Sequence, residues 1–172
     1  VTWGRLPNKD TNPVISIKSG STITIDTLSH EGQLEDQGKD PLKYFKSKGV
    51  PENQILKDGI EIASSDKQHD FDGDGPHMVT GPIYIEDAEP GDVLKVEVLS
   101  LTPRVPYGVI SNRHYKGVLA NEFPENEGRL EDANKENPEK YNNVSIFTPI
   151  RKEGEQYVAY LNENGKEITF PI

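Results

Sequence analysis

The stretch His77-Met-Val-Thr-Gly-Pro-Ile-Tyr-Ile-Glu-Asp-Ala-Glu-Pro-Gly-Asp-Val-Leu-Lys-Val-Glu-Val98 decides the reading of the fold. It places a histidine and a short polar segment directly before an alternating run, Ile83–Ile85. The chain then turns at Glu89-Pro90-Gly91-Asp92 and enters a second alternating run, Val93–Leu101. Pro90 presets φ at the second position of a turn, and Gly91 accepts the positive φ that a type II turn needs next. In the second run Leu94, Val96 and Val98 share one face while Lys95, Glu97 and Leu99 take the other. Such alternation suits an antiparallel sheet with one wet side. Two strands around a tight turn make a rigid frame, and the loop before them is where a site can sit.

Outward from this frame, strand signals dominate. Val14–Lys18 and Thr22–Leu28 alternate β-branched apolar residues with polar ones, and Ser19-Gly20 between them reads as a hairpin turn. Further strands are predicted at Val144–Phe147, Tyr157–Leu161 and Ile168–Phe170. Two helices interrupt the pattern. The first starts on an Asp40 cap with Pro41 at its first position and stops at Gly49 after a run of lysines. The second spans Pro51–Ala63, with Gly59 weakening its middle. Residues 122–143 form an irregular acidic excursion rich in Asn, Glu and Pro. The prediction is a mainly β fold, an antiparallel β-sandwich with a short helical insertion at about residues 40–64, as one domain over residues 1–172.

The length of 172 residues suits a single core. A net charge of −10 with lysines and arginines scattered argues against nucleic acid as a partner, because phosphate binding needs clustered cations. The acidic surface reads most simply as a solubility device. The absence of cysteine excludes a disulfide framework, a zinc–thiolate site and a cysteine nucleophile within these residues. No apolar run approaches a membrane helix and no signal peptide opens the chain, so a cytoplasmic location without membrane contact is the expectation. No phosphate-binding glycine loop, dinucleotide fingerprint or Gly-x-Ser-x-Gly elbow is present.

The run Thr80-Gly-Pro-Ile-Tyr-Ile-Glu-Asp-Ala-Glu-Pro-Gly-Asp-Val-Leu94 resembles the TGPVYVEGAEPGDVL signature of the acetamidase/formamidase family. Upstream, Gly20-Ser-Thr-Ile-Thr-Ile-Asp-Thr-Leu-Ser-His-Glu-Gly-Gln33 is similar to that family's GDTV-FET-D---GQ segment, in the same order and at a similar separation. Weaker likeness runs from about Pro13 onward. Asp87 departs from the pattern, standing where the family usually has glycine. The resemblance implies a jelly-roll-like β-sandwich and hydrolysis of the C–N bond of small linear amides with release of ammonia. It also implies a divalent metal, most often zinc, and homo-oligomers. Family members are longer and continue after a segment like Ile168–Ile172, so the chain is expected to be the N-terminal part, completed by a C-terminal half.

Candidate site residues follow from chemistry. His30 ends the Thr22–Leu28 run and is followed by Glu31, Gly32 and further carboxylates at Glu35 and Asp36, a plausible rim of an active-site bowl; a solvated acidic loop explains the same residues. His77 precedes the signature strand. A neutral imidazole ligates transition metals, which makes His30 and His77 the candidate metal ligands, although spacing alone does not show whether His69 or His77 reaches His30. A metal polarises an amide carbonyl and acidifies water, and a carboxylate then relays the proton to the departing amine. Asp26, aligned with the family's usual glutamate, and Glu31 are the candidate catalytic carboxylates, although Asp26 also fits an outward polar position of a strand. Arg113 and His114, in a segment dense in Arg, Tyr and Asn that also holds Arg104, are the candidates for substrate binding; an ordinary strand-to-loop transition explains that segment too.

One further pattern points elsewhere. Asp70, Asp72 and Asp74 with Gly73 and Gly75 match the first half of an EF-hand-like loop, an alternative metal loop for calcium. The twelfth position would be Gly81 rather than glutamate, and a strand follows instead of a helix. A plain Asp/Gly turn accounts for it as well. The competing functional reading is therefore a non-catalytic β-sandwich module that binds carbohydrate or protein, with this loop holding calcium.

Overall fold

In the computed structural model, residues 1–65, 69–71, 73–112, 118 and 144–172 are described. The chain divides into two units, Val1–Arg104 and Val105–Ile172. Their strands and helices in order are β1 (Thr2–Trp3), β2 (Ile15–Ile17), α1 (Pro41–Ser47), α2 (Lys57–Ala63), β3 (Met78–Val79) and β4 (Ile83–Ile85) in the first. The second holds β5 (Tyr107–Asn112), β6 (Val144–Glu153), β7 (Gln156–Glu163) and β8 (Lys166–Pro171). The fold is mainly β, with two α-helices among the described residues and antiparallel pairing in most ladders. No helix among the described residues is long and apolar enough to cross a membrane.

The second unit is a four-stranded antiparallel meander, β5-β6-β7-β8. Two tight turns set its register. Between Glu153 and Gln156 the turn starts on Gly154 at φ 61°, the geometry that favours glycine at the first central position of a type II′ turn. Between Glu163 and Lys166 both Asn164 (φ 51°) and Gly165 (φ 77°) are left-handed, the type I′ pattern whose twist matches that of the strands. Tyr107, Thr148, Val158 and Ala159 are buried here, with the Tyr107 and Phe147 rings 5.5 Å apart across β5 and β6.

The first unit is built around helices and loops. Asp40 caps α1 by accepting from Lys43 N at 3.0 Å, Pro41 starts it, and Gly49 at φ 84° ends it, as the sequence predicts. The expected second helix is broken. A 3-10 turn at Glu52–Gln54 is followed by Ile55 in extended conformation before α2 begins. The break places Ile55 in a small core with Leu34, Phe45 and Val50, so burial of one side chain outweighs helix continuity. At the N-terminus β1 pairs antiparallel with β3, and Gly4 N donates to His77 O at 2.8 Å while Gly75 N donates to Gly4 O at 3.1 Å.

Three expected strands take a different course. Val14–Lys18 does not form a hairpin with Thr22–Leu28. The turn at Ser19-Gly20 is present, closed by Ser21 N to Lys18 O at 3.1 Å, but residues 22–28 form no ladder. Instead β2 pairs in parallel with β4, Ile15 beside Ile83 and Ile17 beside Ile85. Bonds from Val14 N to Pro82 O and from Glu86 N to Ile17 O extend that pairing at both ends. Alternation fixes which face a side chain takes, not which strand receives its backbone bonds. The run Val93–Leu101 likewise joins no ladder among the described residues, and its apolar side chains are exposed. Asp87 adopts φ 62°, the left-handed region that glycine enters at least cost.

Candidate active site

The loop from Ser29 to Gly38 is folded by its own polar side chains. Glu31 N donates to Ser29 Oγ at 3.2 Å and Gln33 N to His30 O at 3.1 Å, forming a tight turn. Gly32 follows at φ 89°, and a Cβ there would lie 2.7 Å from Phe45 Cε2, so only glycine lets the loop settle on α1. Gln37 then ties the turn from beyond it. Its Oε1 accepts from Gly32 N at 2.6 Å, and its Nε2 donates to Glu31 Oε2. One amide therefore orients both the glycine and the carboxylate of the turn. Gln33, only 1% exposed, lies under the loop, with its Nε2 3.4 Å from Ser29 O and its Oε1 without a partner among the described residues.

His77 arrives from the other side of the sequence. Its carbonyl is fixed by Gly4 N, immediately before β3 begins. The imidazoles of His30 and His77 meet with ring centroids 4.9 Å apart and planes at 78°. The His30 side chain is largely buried and His77 is exposed. Glu31 Oε1 lies 3.6 Å from His30 Nε2. The structure thus brings His30, Glu31 and His77 together, with Gln37 behind them. Nothing in the sequence singles out Gln37; its contribution depends on a turn that folds back on itself.

The other candidates are distributed differently. Asp26 is exposed, and its backbone carbonyl accepts from Thr80 Oγ1 at 3.3 Å. Arg104 Nη1 donates to Asp58 Oδ2 at 2.8 Å and to Thr27 O at 3.0 Å. The Asp58 carboxylate, and more weakly Asp26, raise the guanidinium pKa above its ordinary value. Arg104 therefore ties the segment after Asp26 to α2. Arg113, His114 and Asp72 lie outside the described residues, as does the acidic excursion at 122–143.

The Asp70–Asp74 loop is occupied by protein donors. Asp74 Oδ1 accepts from Arg5 Nε at 2.8 Å and Oδ2 from Asp70 N at 3.0 Å. The Arg5 bond, helped by the Asp70 amide, holds the Asp74 carboxyl below the usual carboxylate range. Beside it His69 is buried, stacked on Trp3 at 3.9 Å and set edge-on to Phe71 at 4.6 Å. A cation at this loop would have to displace Arg5 from Asp74.

A catalytic zinc centre needs three protein ligands with an open fourth position. Among the described residues no group of three or more His, Cys, Asp or Glu is arranged to hold a metal ion. The two imidazoles are the right kind of donor and lie in contact, and a centre built on them would need further donors. The model of the Acetamidase/Formamidase family covers residues 52–152, more than half of the chain. No curated protein and no solved structure matches it.

Proposed function

The chain belongs to the acetamidase/formamidase family, and from that membership we infer that it is an amidase that hydrolyses the C–N bond of a small linear amide. Water adds to the carbonyl carbon, the C–N bond breaks, and a carboxylic acid and ammonia leave, which at neutral pH become carboxylate and ammonium. The observation that supports this site for the reaction is the meeting of His30 with His77 beside the carboxylate of Glu31.

The proposal includes a divalent ion, zinc first, which His30 and His77 would hold with at least one donor from beyond the described residues. Such an ion draws electron density from the amide carbonyl and acidifies water. Glu31 is the proposed proton carrier. Its Oε2 is held by Gln37, which keeps the carboxylate plane fixed and leaves Oε1 on the His30 side. A carboxylate fixed in this way takes a proton from attacking water and returns it to the departing nitrogen. Asp26 is proposed as a second carboxylate, and Arg113 and His114 as groups that bind the polar end of the substrate. The reading extends to a jelly-roll-like sandwich architecture, a homo-oligomer and a cytoplasmic location.

The test is release of ammonia from formamide and acetamide by the purified protein, measured with its metal content. Wild type, His30→Ala and His77→Ala are compared at matched concentration. Turnover by wild type that both substitutions abolish supports the proposal. Turnover that survives both, or none from any linear amide by metal-replete protein, overturns it.

A further inference from the structure

The run Val93-Leu-Lys-Val-Glu-Val-Leu99 has strand alternation without a strand's neighbours. None of its backbone groups joins a ladder among the described residues. Val93, Leu94, Val96, Val98, Leu99 and Leu101 are between 66% and 94% exposed. A row of unpaired N–H and C=O groups flanked by β-branched side chains is a template for pairing with another chain. The charges indicate which chain.

The order of residues about Val96 is close to a palindrome. Lys95 and Glu97 flank it, then Leu94 and Val98, then Val93 and Leu99. Lys95 and Glu97 lie on one face of the extended segment, Nζ and Oε1 2.5 Å apart, with both side chains mostly exposed. We propose that this segment pairs with the same segment of a second copy, as antiparallel strands related by a two-fold axis through Val96. In that register each Lys95 stands opposite Glu97 of the other copy. Leu94 stands opposite Val98 and Val93 opposite Leu99.

Directly opposed residues of antiparallel strands share a face and interact, opposite charges favourably and like charges unfavourably. A shift of the two-fold axis to Lys95 would set lysine against lysine, and a shift to Glu97 would set glutamate against glutamate. A one-residue offset between the strands would bring apolar side chains opposite Lys95 and Glu97. The two charges thus reject the neighbouring registers. The interface is isologous, so it closes at two copies and does not propagate into fibres. This proposal gives the proposed homo-oligomer a specific interface, and it stands or falls separately from the amide chemistry.

The test uses the full chain in analytical ultracentrifugation over roughly 1–300 µM, a range that spans weak strand-mediated association. Wild type is expected to show a concentration-dependent dimer. Lys95→Glu alone and Glu97→Lys alone should each raise the dissociation constant at least about tenfold, since each sets like charges opposite one another. The exchanged pair K95E/E97K should return it to within about threefold of wild type. Both positions are exposed, and an unchanged far-UV circular dichroism spectrum identifies variants that remain folded. A second measurement uses the absence of native cysteine. Oxidised Val96→Cys should form a covalent dimer, because a residue on the two-fold axis of an antiparallel pair faces its own copy at disulfide range. A monomer at every concentration, a dimer insensitive to either charge reversal, or an exchanged pair that stays dissociated overturns the proposal. So does a Val96→Cys thiol shielded from thiol reagents in a monomer, which would mean that other polypeptide of the same copy covers the segment.

Discussion

Glu31 and Gln37 are joined side chain to side chain, the Gln37 amide donating to Glu31 Oε2 while its carbonyl holds the Gly32 amide. The carboxylate nearest His30 is thereby aimed by a residue that needs no part in the chemistry. Replacing Gln37 by alanine should leave the fold intact and lower kcat about tenfold or more, the usual scale for a partner that orients a functional group. The KM for acetamide should change little. Steady-state kinetics of ammonia release separates the two constants.

Glu31→Gln removes the proposed proton carrier while preserving shape and most hydrogen bonds. A loss of about 10²–10⁴ in kcat is expected, the range for loss of a general acid–base group. The double substitution Glu31→Gln with Gln37→Ala should cost hardly more than Glu31→Gln alone, because the amide acts through the carboxylate. Additive losses would show that Gln37 has a separate task.

Gly32→Ala meets two obstacles, a φ of 89° and the Phe45 ring 2.7 Å from the new methyl carbon. A destabilisation of about 2–3 kcal/mol is expected from strain and overpacking together. Phe45→Ala in the same chain should relieve only the steric part, so the double-mutant cycle in urea shows a favourable coupling beside an unrelieved backbone cost.

Burial raises the Tyr107 phenol from 10.0 to about 12. The unfolded chain releases this proton first, so the folded state binds more protons between those values. The contribution of Tyr107 is complete below pH 10 and is lost as pH rises towards 12, by about 2–3 kcal/mol. Urea unfolding across that range should show the decline, and Tyr107→Phe should flatten it.

Asp87 holds φ 62° in the turn after β4, exposed to solvent. Asp87→Gly removes a left-handed cost of roughly 1 kcal/mol, and part of that gain is offset by the greater freedom of glycine when unfolded. A small rise in thermal midpoint with unchanged amidase kinetics is the expected outcome, read by calorimetry and ammonia release.

Legibility in the sequence followed the range of the interaction. The Asp40-Pro41 start and Gly49 stop of α1 were readable because a cap is a matter of a few neighbouring residues. Three strands of the second unit were readable from alternation, whereas β5 at Tyr107–Asn112 was not among those expected, and Asn164-Gly165 carried an equally local hairpin signal that the expected pattern of strands left unused. Partner choice was not readable. Ile15–Ile17 bonds to Ile83–Ile85 across most of the first unit, where the nearer Thr22–Leu28 offered the same period. The break at Ile55 depended on a core that only the folded chain contains. At the site, imidazole and carboxylate chemistry named His30, Glu31 and His77 as candidates, and the structure sets His30 beside each of the other two. Gln37, whose effect comes from bending back over one turn, left no comparable mark.

The bond from Gly4 to the His77 carbonyl has a practical side. A side chain at Gly4 would put its first carbon 2.3 Å from Gly75 O, so the opening residues act as a splint whose fit tolerates no bulk. Trimming them, or fusing a stiff affinity handle close to Thr2, would let the exposed histidine swing on its own hinge. An assay on such a preparation would then report the handle rather than the enzyme.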